Sequence, residues 1–231
     1  MEITRGKHIS ILTPEELLGP LNDVEKKYAP ARLHVAGEPR WPLPRPRVAI
    51  VGSRMASLEG LETAAGIAKA LAKKGVIVVS GLADGIDTAA HTGAIENGGR
   101  TIAVLGTPLD RAYPAKNYRL QETIMRDHWA ISQFPTGYPT RPKDFVLRNR
   151  TVALISNASV IVEAGDSSGS LAQGWEALRL GRPLYLWKSI MENRSLVWPK
   201  EMMKYGATWL DNPKAILEFL PPREGAISVA Q

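Results

Sequence analysis

The sequence predicts an α/β protein with an extended Rossmann-like, doubly wound and mostly parallel sheet. Several short apolar runs are continuous rather than alternating with polar residues, and such runs are typical of strands that are buried on both faces of a parallel sheet. These runs alternate along the chain with stretches of helical periodicity. Alternation of this kind indicates right-handed crossover units in one open sheet.

The first crossover unit is the clearest one. Residues 48–51 form an apolar run, 58–74 have helical periodicity, and 76–80 form a second apolar, β-branched run. Each predicted strand runs directly into a glycine turn, which places two polar turns at the same edge of the sheet.

The rest of the chain continues the alternation of strands and helices. Further strands are predicted at 101–105, 129–134, 160–163, 183–187 and 208–210, and helices at 88–97, 117–126, 145–156, 171–180 and within 190–220.

The N-terminal part of the chain is predicted to be a separate segment. Residues 1–46 combine a helical lead-in, which begins at the capping residue Thr13, with a stretch rich in proline and arginine at 39–47. The Rossmann-like domain is expected to span 47–220, and 221–231 are expected to form a disordered tail.

Composition limits the classes of function. The chain has 231 residues, a formal net charge of +6 and no cysteine. Disulfides, thiolate metal sites and cysteine nucleophiles are therefore excluded. No uncharged apolar run approaches the roughly 20 residues that a membrane span needs, so we expect a cytoplasmic protein without a membrane contact. The basic charge favours anionic partners, although it also fits an ordinary solvated surface.

The first candidate site is the turn Gly52-Ser53-Arg54, which follows the first predicted strand of the crossover unit. A glycine permits a tight turn, a serine donates to an anion, and an arginine can bind a phosphate bidentately. The turn has neither the G-x-G-x-x-G pattern of dinucleotide sites nor the pattern of a P-loop. An ordinary turn with an exposed arginine is the alternative interpretation.

The second candidate site is the turn that follows the strand at 76–80. Its N–H groups are expected to cradle phosphate, with Asp87 as the N-cap of the next helix. His91 either faces the same cleft or lies in the core. The turn residues assigned to binding are Ser80, Gly81, Asp84 and Gly85.

The third candidate site is the basic segment 141–150, which carries a local net charge of +3 and one aromatic ring. Cations that track phosphates, with a ring that stacks on bases, suit single-stranded nucleic acid. A solvated helix face with its ring in the core is the alternative. The residues assigned to binding are Lys143, Phe145, Arg148, Asn149 and Arg150.

The fourth candidate site is the turn that begins at Glu163 and leads into a helix. Its serines and glycines, Ser168, Gly169 and Ser170 among them, are typical of an anion-binding helix start, and the carboxylate of Glu163 is assigned a supporting role. A hydrophilic loop with a serine cap is the alternative. No catalytic set and no metal-ligand spacing stands out, so neither a metal nor a cofactor is predicted.

Taken together, these motifs resemble the DNA-processing protein A (DprA/Smf) family. The match runs from about residue 30 to 187 and includes V-A-I-V-G-S-R, S-G-L-A-D-G-I-D-T-A-A-H, D-R-A-Y-P-A-K-N, F-V-L-R-N-R and V-E-A-G-D-S-S-G-S-L, as in a short, diverged member. The resemblance implies a non-enzymatic homodimer that binds single-stranded DNA and delivers it to a RecA-type recombinase during natural transformation. By analogy, the DNA-binding positions are Arg54, the turn 81–85, Lys143, Phe145, Arg148 and Arg150.

Two other interpretations stay open. In the first, the same fold serves a nucleotide sensor or a nucleoside-monophosphate phosphoribohydrolase, with Arg54 and Glu163 at the glycosidic bond. The chain lacks the P-G-G-x-G-T-x-x-E turn of those enzymes. In the second, the proline-rich stretch 39–47 recruits the chain into a larger complex.

Overall fold

One nine-stranded sheet organises the computed structural model, which describes residues 3–4 and 8–221. The spatial order of the strands is β1-β2-β6-β5-β4-β3-β7-β8-β9. Their bounds are β1 Ile9–Leu12, β2 Leu33–Gly37, β3 Arg47–Val51, β4 Ile77–Ser80, β5 Thr101–Leu105, β6 Trp129–Ser132, β7 Ala158–Ile161, β8 Leu184–Trp187 and β9 Thr208–Leu210.

Helices connect the strands and pack against the sheet. Their bounds are α1 Pro14–Leu18, α2 Asp23–Lys26, α3 Leu58–Ala72, α4 Ile86–Glu96, α5 Tyr118–Asp127, α6 Pro142–Ile155, α7 Gly169–Arg179, α8 Lys188–Glu192, α9 Trp198–Lys204 and α10 Lys214–Glu218. In the part of the chain that the structure describes, no helix is long and apolar enough to cross a membrane.

The sheet is doubly wound, as the sequence predicts. The chain runs outward from β3 through β4, β5 and β6, then returns to the other side of β3 with β7, β8 and β9, and all these pairings are parallel. The strand order therefore reverses between β3 and β7, and ligands of such sheets bind at this kind of position.

Alternate residues of β3 enter the two cores of the molecule. Val48 and Ile50 pack with α3 and α4, whereas Ala49 and Val51 pack on the opposite face with residues of α6. Burial on both faces explains why the strands in the middle of the sheet are continuous apolar runs.

The N-terminal segment contains two strands that the sequence analysis missed. Strand β2 is antiparallel to β6, and β1 is antiparallel to β2 at the sheet edge. The predicted helical lead-in is present as two short helices, and the capping box of Thr13 with Glu16 opens α1 as expected. Edge strands of four or five residues carry a weak local signal, because their pairing depends on a distant strand.

The N-terminal segment is fastened to the rest of the structure by side chains. Arg182 forms an ion pair with Glu25 at 2.7 Å, and the Nη1–H of Arg179 donates to the carbonyl oxygen of Val24 at 3.1 Å. The division at residue 46 stays a prediction. The predicted tail lies outside the described residues from 222 onward.

Candidate functional site

A cavity of about 740 Å³ opens at the carboxyl ends of the central strands. Its volume is within the range of roughly 300–1,000 Å³ that is usual for ligand sites. The turns after β3, β4 and β7 contribute to its wall, together with the loop after β5 and the first turns of α6. All four predicted sites therefore contribute to a single cavity.

The turn after β3 is held by its own backbone and by its neighbours. The N–H of Ser53 donates to the carbonyl oxygen of Glu163 at 2.7 Å, and the carbonyl of Ser53 accepts from the N–H of Ile86 at 3.2 Å. Arg54 is exposed, and its guanidinium lies 5.7 Å from the ring centre of Phe145. The backbone of this turn is thus fixed while its cation faces the solvent side of the cavity.

The turn after β4 is braced from inside by a buried carboxylate. The N–H groups of Gly81 and Ala83 donate to Oδ2 of Asp87 at 3.1 and 3.3 Å. Burial raises the pKa of Asp87, and the nearby Arg148 partly opposes that rise. The expectation that Asp87 is an N-cap is wrong, because Gly85 occupies the N-cap position of α4 and Asp87 lies inside the first turn.

Arg148 secures the same turn from the opposite side. Its Nη1–H group donates to the carbonyl oxygens of Gly81 and Val104, the latter at 2.8 Å. A Cβ atom at Gly81 would overlap this guanidinium, so any side chain there would have to displace Arg148. Burial lowers the pKa of Arg148, and Asp87 partly offsets this effect. Arg148 lines the cavity, yet most of its side chain is buried and its guanidinium bonds to backbone carbonyls of the protein.

Two aromatic rings stand together at the cavity. The ring centres of Tyr113 and Phe145 are 5.1 Å apart and the rings are tilted by 48°. Phe145 is half-buried against Gly106, where a Cβ atom would collide with the ring. The contact between Gly106 and Phe145 fixes the ring, and Tyr113 packs on its free side.

The turn after β7 supplies a helix start to the cavity. Ser168 caps α7 by accepting from the N–H of Ser170 at 3.4 Å, and the two hydroxyl oxygens are 2.6 Å apart. The amide of Asn149 donates to the carbonyl oxygen of Gly169 at 2.8 Å, which ties α6 to this turn. The start of an eleven-residue helix favours a negative charge.

Two predicted cations lie outside the cavity lining. Lys143 and Arg150 are exposed on α6, and the guanidinium of Arg150 lies over the ring of Tyr28 at 5.1 Å. Asp84 pairs with Lys116 at 2.6 Å and borders a smaller adjoining cavity of about 160 Å³.

The remaining predicted residues have structural contacts. The hydroxyl of Ser80 donates to the carbonyl oxygen of Ile50 at 2.7 Å. Glu163 accepts from the N–H of Ser57 at 3.0 Å and from its hydroxyl at 2.5 Å, so its carboxylate stabilises the start of α3. His91 does not face the cleft: it is fully buried, and its Nδ1 lies 2.7 Å from the hydroxyl oxygen of Thr101.

The sequence did not assign several of the lining residues to the site, among them Met55, Arg111, Tyr113 and Arg141. Arg111, Tyr113 and Met55 lie on surface turns at the mouth of the cavity, and Arg141 precedes α6. A signal existed for Tyr113, which lies in the D-R-A-Y-P motif, but the turn it belongs to lacks a regular pattern.

The charge of the lining is strongly uneven. Arg54, Arg111, Arg141 and Arg148 line the cavity, whereas Asp87 is its one carboxylate among the residues that the structure describes. Within the same residues, no group of three or more histidine or acidic side chains is arranged to hold a metal ion. The site is suited to a polyanion and presents two aromatic rings.

Two known proteins resemble this chain in sequence. DNA processing protein DprA of Streptococcus pneumoniae is 42% identical over 140 residues, which cover 61% of this chain and 49% of that protein. Protein Smf of Escherichia coli is 35% identical over 175 residues, which cover 75% of this chain and 47% of the relative. The chain thus spans about half the length of these curated relatives.

Solved structures share the fold. The X-ray structure of DprA from S. pneumoniae superposes with a TM-score of 0.76 at 31% identity and covers 93% of this chain and 75% of that one. DprA from Helicobacter pylori, described for its single-stranded DNA binding mode, gives a TM-score of 0.79 at 24% identity over 94% of this chain and 97% of its own.

The relatives named DprA are described as DNA processing proteins. The sequence pattern of one family, described as DNA recombination-mediator protein A, matches residues 13–221, which is most of the chain. The cavity at the switch point of the sheet and the motifs around it therefore belong to a member of the DNA recombination-mediator protein A family.

Proposed function

We propose that this chain binds single-stranded DNA in the cavity at the carboxyl edge of its sheet. The observation that carries the proposal is the lining of four arginines against one carboxylate, beside two packed aromatic rings. Arginines suit the phosphates and rings suit unpaired bases, which is the combination used by proteins that bind single strands. The H. pylori protein, which shares this fold, is described for its single-stranded DNA binding mode, and this likeness supports the proposal.

Individual roles follow from exposure. Arg54, Arg111 and Arg141 are exposed and contact phosphates in this proposal, whereas the buried Arg148 keeps the turn after β4 in place. The start of α7, next to Ser168, attracts one further phosphate through the positive end of the helix dipole. Phosphate contacts position the strand and do not read its sequence, so little sequence preference is expected.

Residues outside the lining have an accessory role. Lys143 and Arg150 are exposed on α6 and extend the positive surface beyond the cavity. The Gly52 turn shapes the cavity, and Gly85 with Asp84 closes the turn after β4.

The biological setting is part of the same proposal. The chain acts as a cytoplasmic homodimer that delivers single-stranded DNA to a RecA-type recombinase during natural transformation. Family membership supports this setting. Light scattering that gives the mass of one chain, 25.2 kDa, at every concentration would contradict the dimer. The proposed delivery to a recombinase would be contradicted if recombinase filaments assembled on protein-coated DNA at the same rate with and without this protein.

Fluorescence anisotropy tests the DNA-binding proposal. A labelled single-stranded 30-mer is compared with its duplex and with free mononucleotides across a salt series. We expect the single strand to bind most tightly, with an affinity that falls steeply as salt rises because bound counterions are released.

Arg54→Ala provides the variant for this experiment, and Arg194→Ala is the matched control because Arg194 is an exposed arginine outside the lining. Loss of one phosphate contact lowers the slope of log affinity against log salt by about 0.7 for a single strand. Binding of a mononucleotide alone would overturn the proposal in favour of a nucleotide sensor.

A further inference from the structure

We propose that Tyr113 is the ring that stacks on a DNA base and that Phe145 is the support beneath it. This inference rests on the proposed binding of single-stranded DNA in the cavity. The sequence predicts stacking at Phe145, because that ring lies within the basic segment. The packing around the two rings reverses the assignment.

The ring of Phe145 is already occupied by contacts within the protein. It is half-buried, and it packs so closely on Gly106 that no Cβ atom fits there. The guanidinium of Arg54 lies 5.7 Å from the ring centre, and the ring of Tyr113 lies 5.1 Å from it. A base that stacked on Phe145 would have to displace one of these two neighbours.

The ring of Tyr113, unlike that of Phe145, is accessible to a ligand. The residue is 50% exposed and lines both the large cavity and the smaller adjoining one. Its contact with Phe145 holds the ring in place, so little side-chain freedom remains to be lost on binding. An exposed ring that is fixed from below is a suitable platform for a base.

The rim near Tyr113 offers further apolar surface. Met55 is 92% exposed and lines both cavities, and Val146 is 51% exposed at the larger one. Large apolar side chains that face solvent beside a cluster of arginines suit a ligand with both phosphates and flat apolar faces. Single-stranded DNA presents such faces, whereas a duplex keeps its bases stacked inside. Tyr113 therefore contributes selectivity for the single strand.

The test combines a tyrosine variant with DNA that lacks bases. Tyr113→Ala and Tyr113→Phe are compared with the unchanged protein on a thymidine 30-mer and on a strand of the same length in which every position is abasic. The matched control is Tyr205→Ala, since Tyr205 is also an exposed tyrosine but packs on Trp175 outside the cavity lining.

We expect Tyr113→Ala to weaken binding of the intact strand by at least about fivefold, because one base-stacking contact is lost. Tyr113→Phe keeps the ring and retains the affinity. On the abasic strand the unchanged protein and Tyr113→Ala bind alike, and the salt slope of Tyr113→Ala equals that of the unchanged protein because no phosphate contact is removed.

Three results would overturn the inference. Tyr113→Ala binds the intact strand as tightly as the unchanged protein, or it loses equal affinity on intact and abasic strands, or Tyr113→Phe is as weak as Tyr113→Ala. In each case a protein that still binds single strands with a steep salt dependence keeps the proposed function. If the unchanged protein binds no single strand at all, the proposed function and this inference fail together.

Discussion

Two arginines that lie in motifs predicted to bind phosphate have different roles in this protein. Arg54 and Arg148 both lie in motifs that predict phosphate binding, yet one is exposed and the other is 5% exposed and bonded to backbone carbonyls. Both positions lie in the wall of one cavity. The sequence does not separate ligand-facing from protein-facing cations, because that distinction depends on which distant carbonyls each guanidinium reaches.

His91 is another residue whose role depends on tertiary contacts that the sequence does not reveal. The hydroxyl of Thr101 donates to the carbonyl oxygen of Val78 at 2.9 Å, so Nδ1–H of His91 must donate to that hydroxyl. Burial is the main cause that lowers the pKa of His91 to about 3. The imidazole is therefore neutral in the folded protein throughout the pH range in which a free histidine titrates.

The buried imidazole predicts an acid-sensitive stability. The unfolded chain takes up a proton at His91 near pH 6.5 and the folded protein does so near pH 3, so stability is full above pH 6.5 and falls as the pH is lowered through this interval. Between pH 7 and pH 5 the unchanged protein should lose about 2 kcal/mol more than His91→Asn in its free energy of unfolding. Urea unfolding at several pH values measures this difference, and parallel profiles of the two proteins would contradict it.

At the scale of elements, the turns rather than the helices and strands build the site. Turns after β3, β4 and β7 meet at one edge because parallel strands share a direction, and this convergence was predictable from the sequence alone. Strands β1 and β2 were not predictable, since β2 pairs with β6 about 100 positions away and β1 in turn pairs with β2. The aromatic pair was missed for a similar reason: Tyr113 lies on a loop, and its contact with Phe145 is tertiary.

Asp84 in the turn after β4 and Asp87 in the first turn of α4 provide a matched pair for testing the rigidity of that turn. Asp87 is buried and accepts from two backbone N–H groups, whereas Asp84 forms an ion pair with the exposed Lys116. Asp87→Ala should lower the free energy of unfolding by about 2–4 kcal/mol, because both N–H groups and the buried Arg148 lose their partner charge.

The control substitution Asp84→Ala should cost no more than about 1 kcal/mol, since exposed ion pairs contribute little. Denaturant unfolding at pH 7 provides both values. Equal costs for the two substitutions would show that the carboxylate of Asp87 does not hold the turn.

At the scale of the whole molecule, the location of the positive charge in the fold, rather than its total, indicates a binding site. A formal net charge of +6 alone fits many solvated surfaces, as the sequence analysis recognised. Four arginines at the switch point of a doubly wound sheet, against one carboxylate, concentrate positive potential where ligands of such sheets bind. The chain spans about half the length of its curated relatives.

Photo-crosslinking tests the central claim most directly, because it reports where a strand lies on the molecule. A single-stranded oligonucleotide that carries 5-iododeoxyuridine is irradiated with the unchanged protein, and the modified peptides are identified by mass spectrometry. We expect adducts on Tyr113 and Met55 at the cavity rim, which competitor single strand abolishes and high salt reduces. Adducts confined to exposed aromatic residues elsewhere, such as Trp209 or Tyr205, would contradict binding in the cavity.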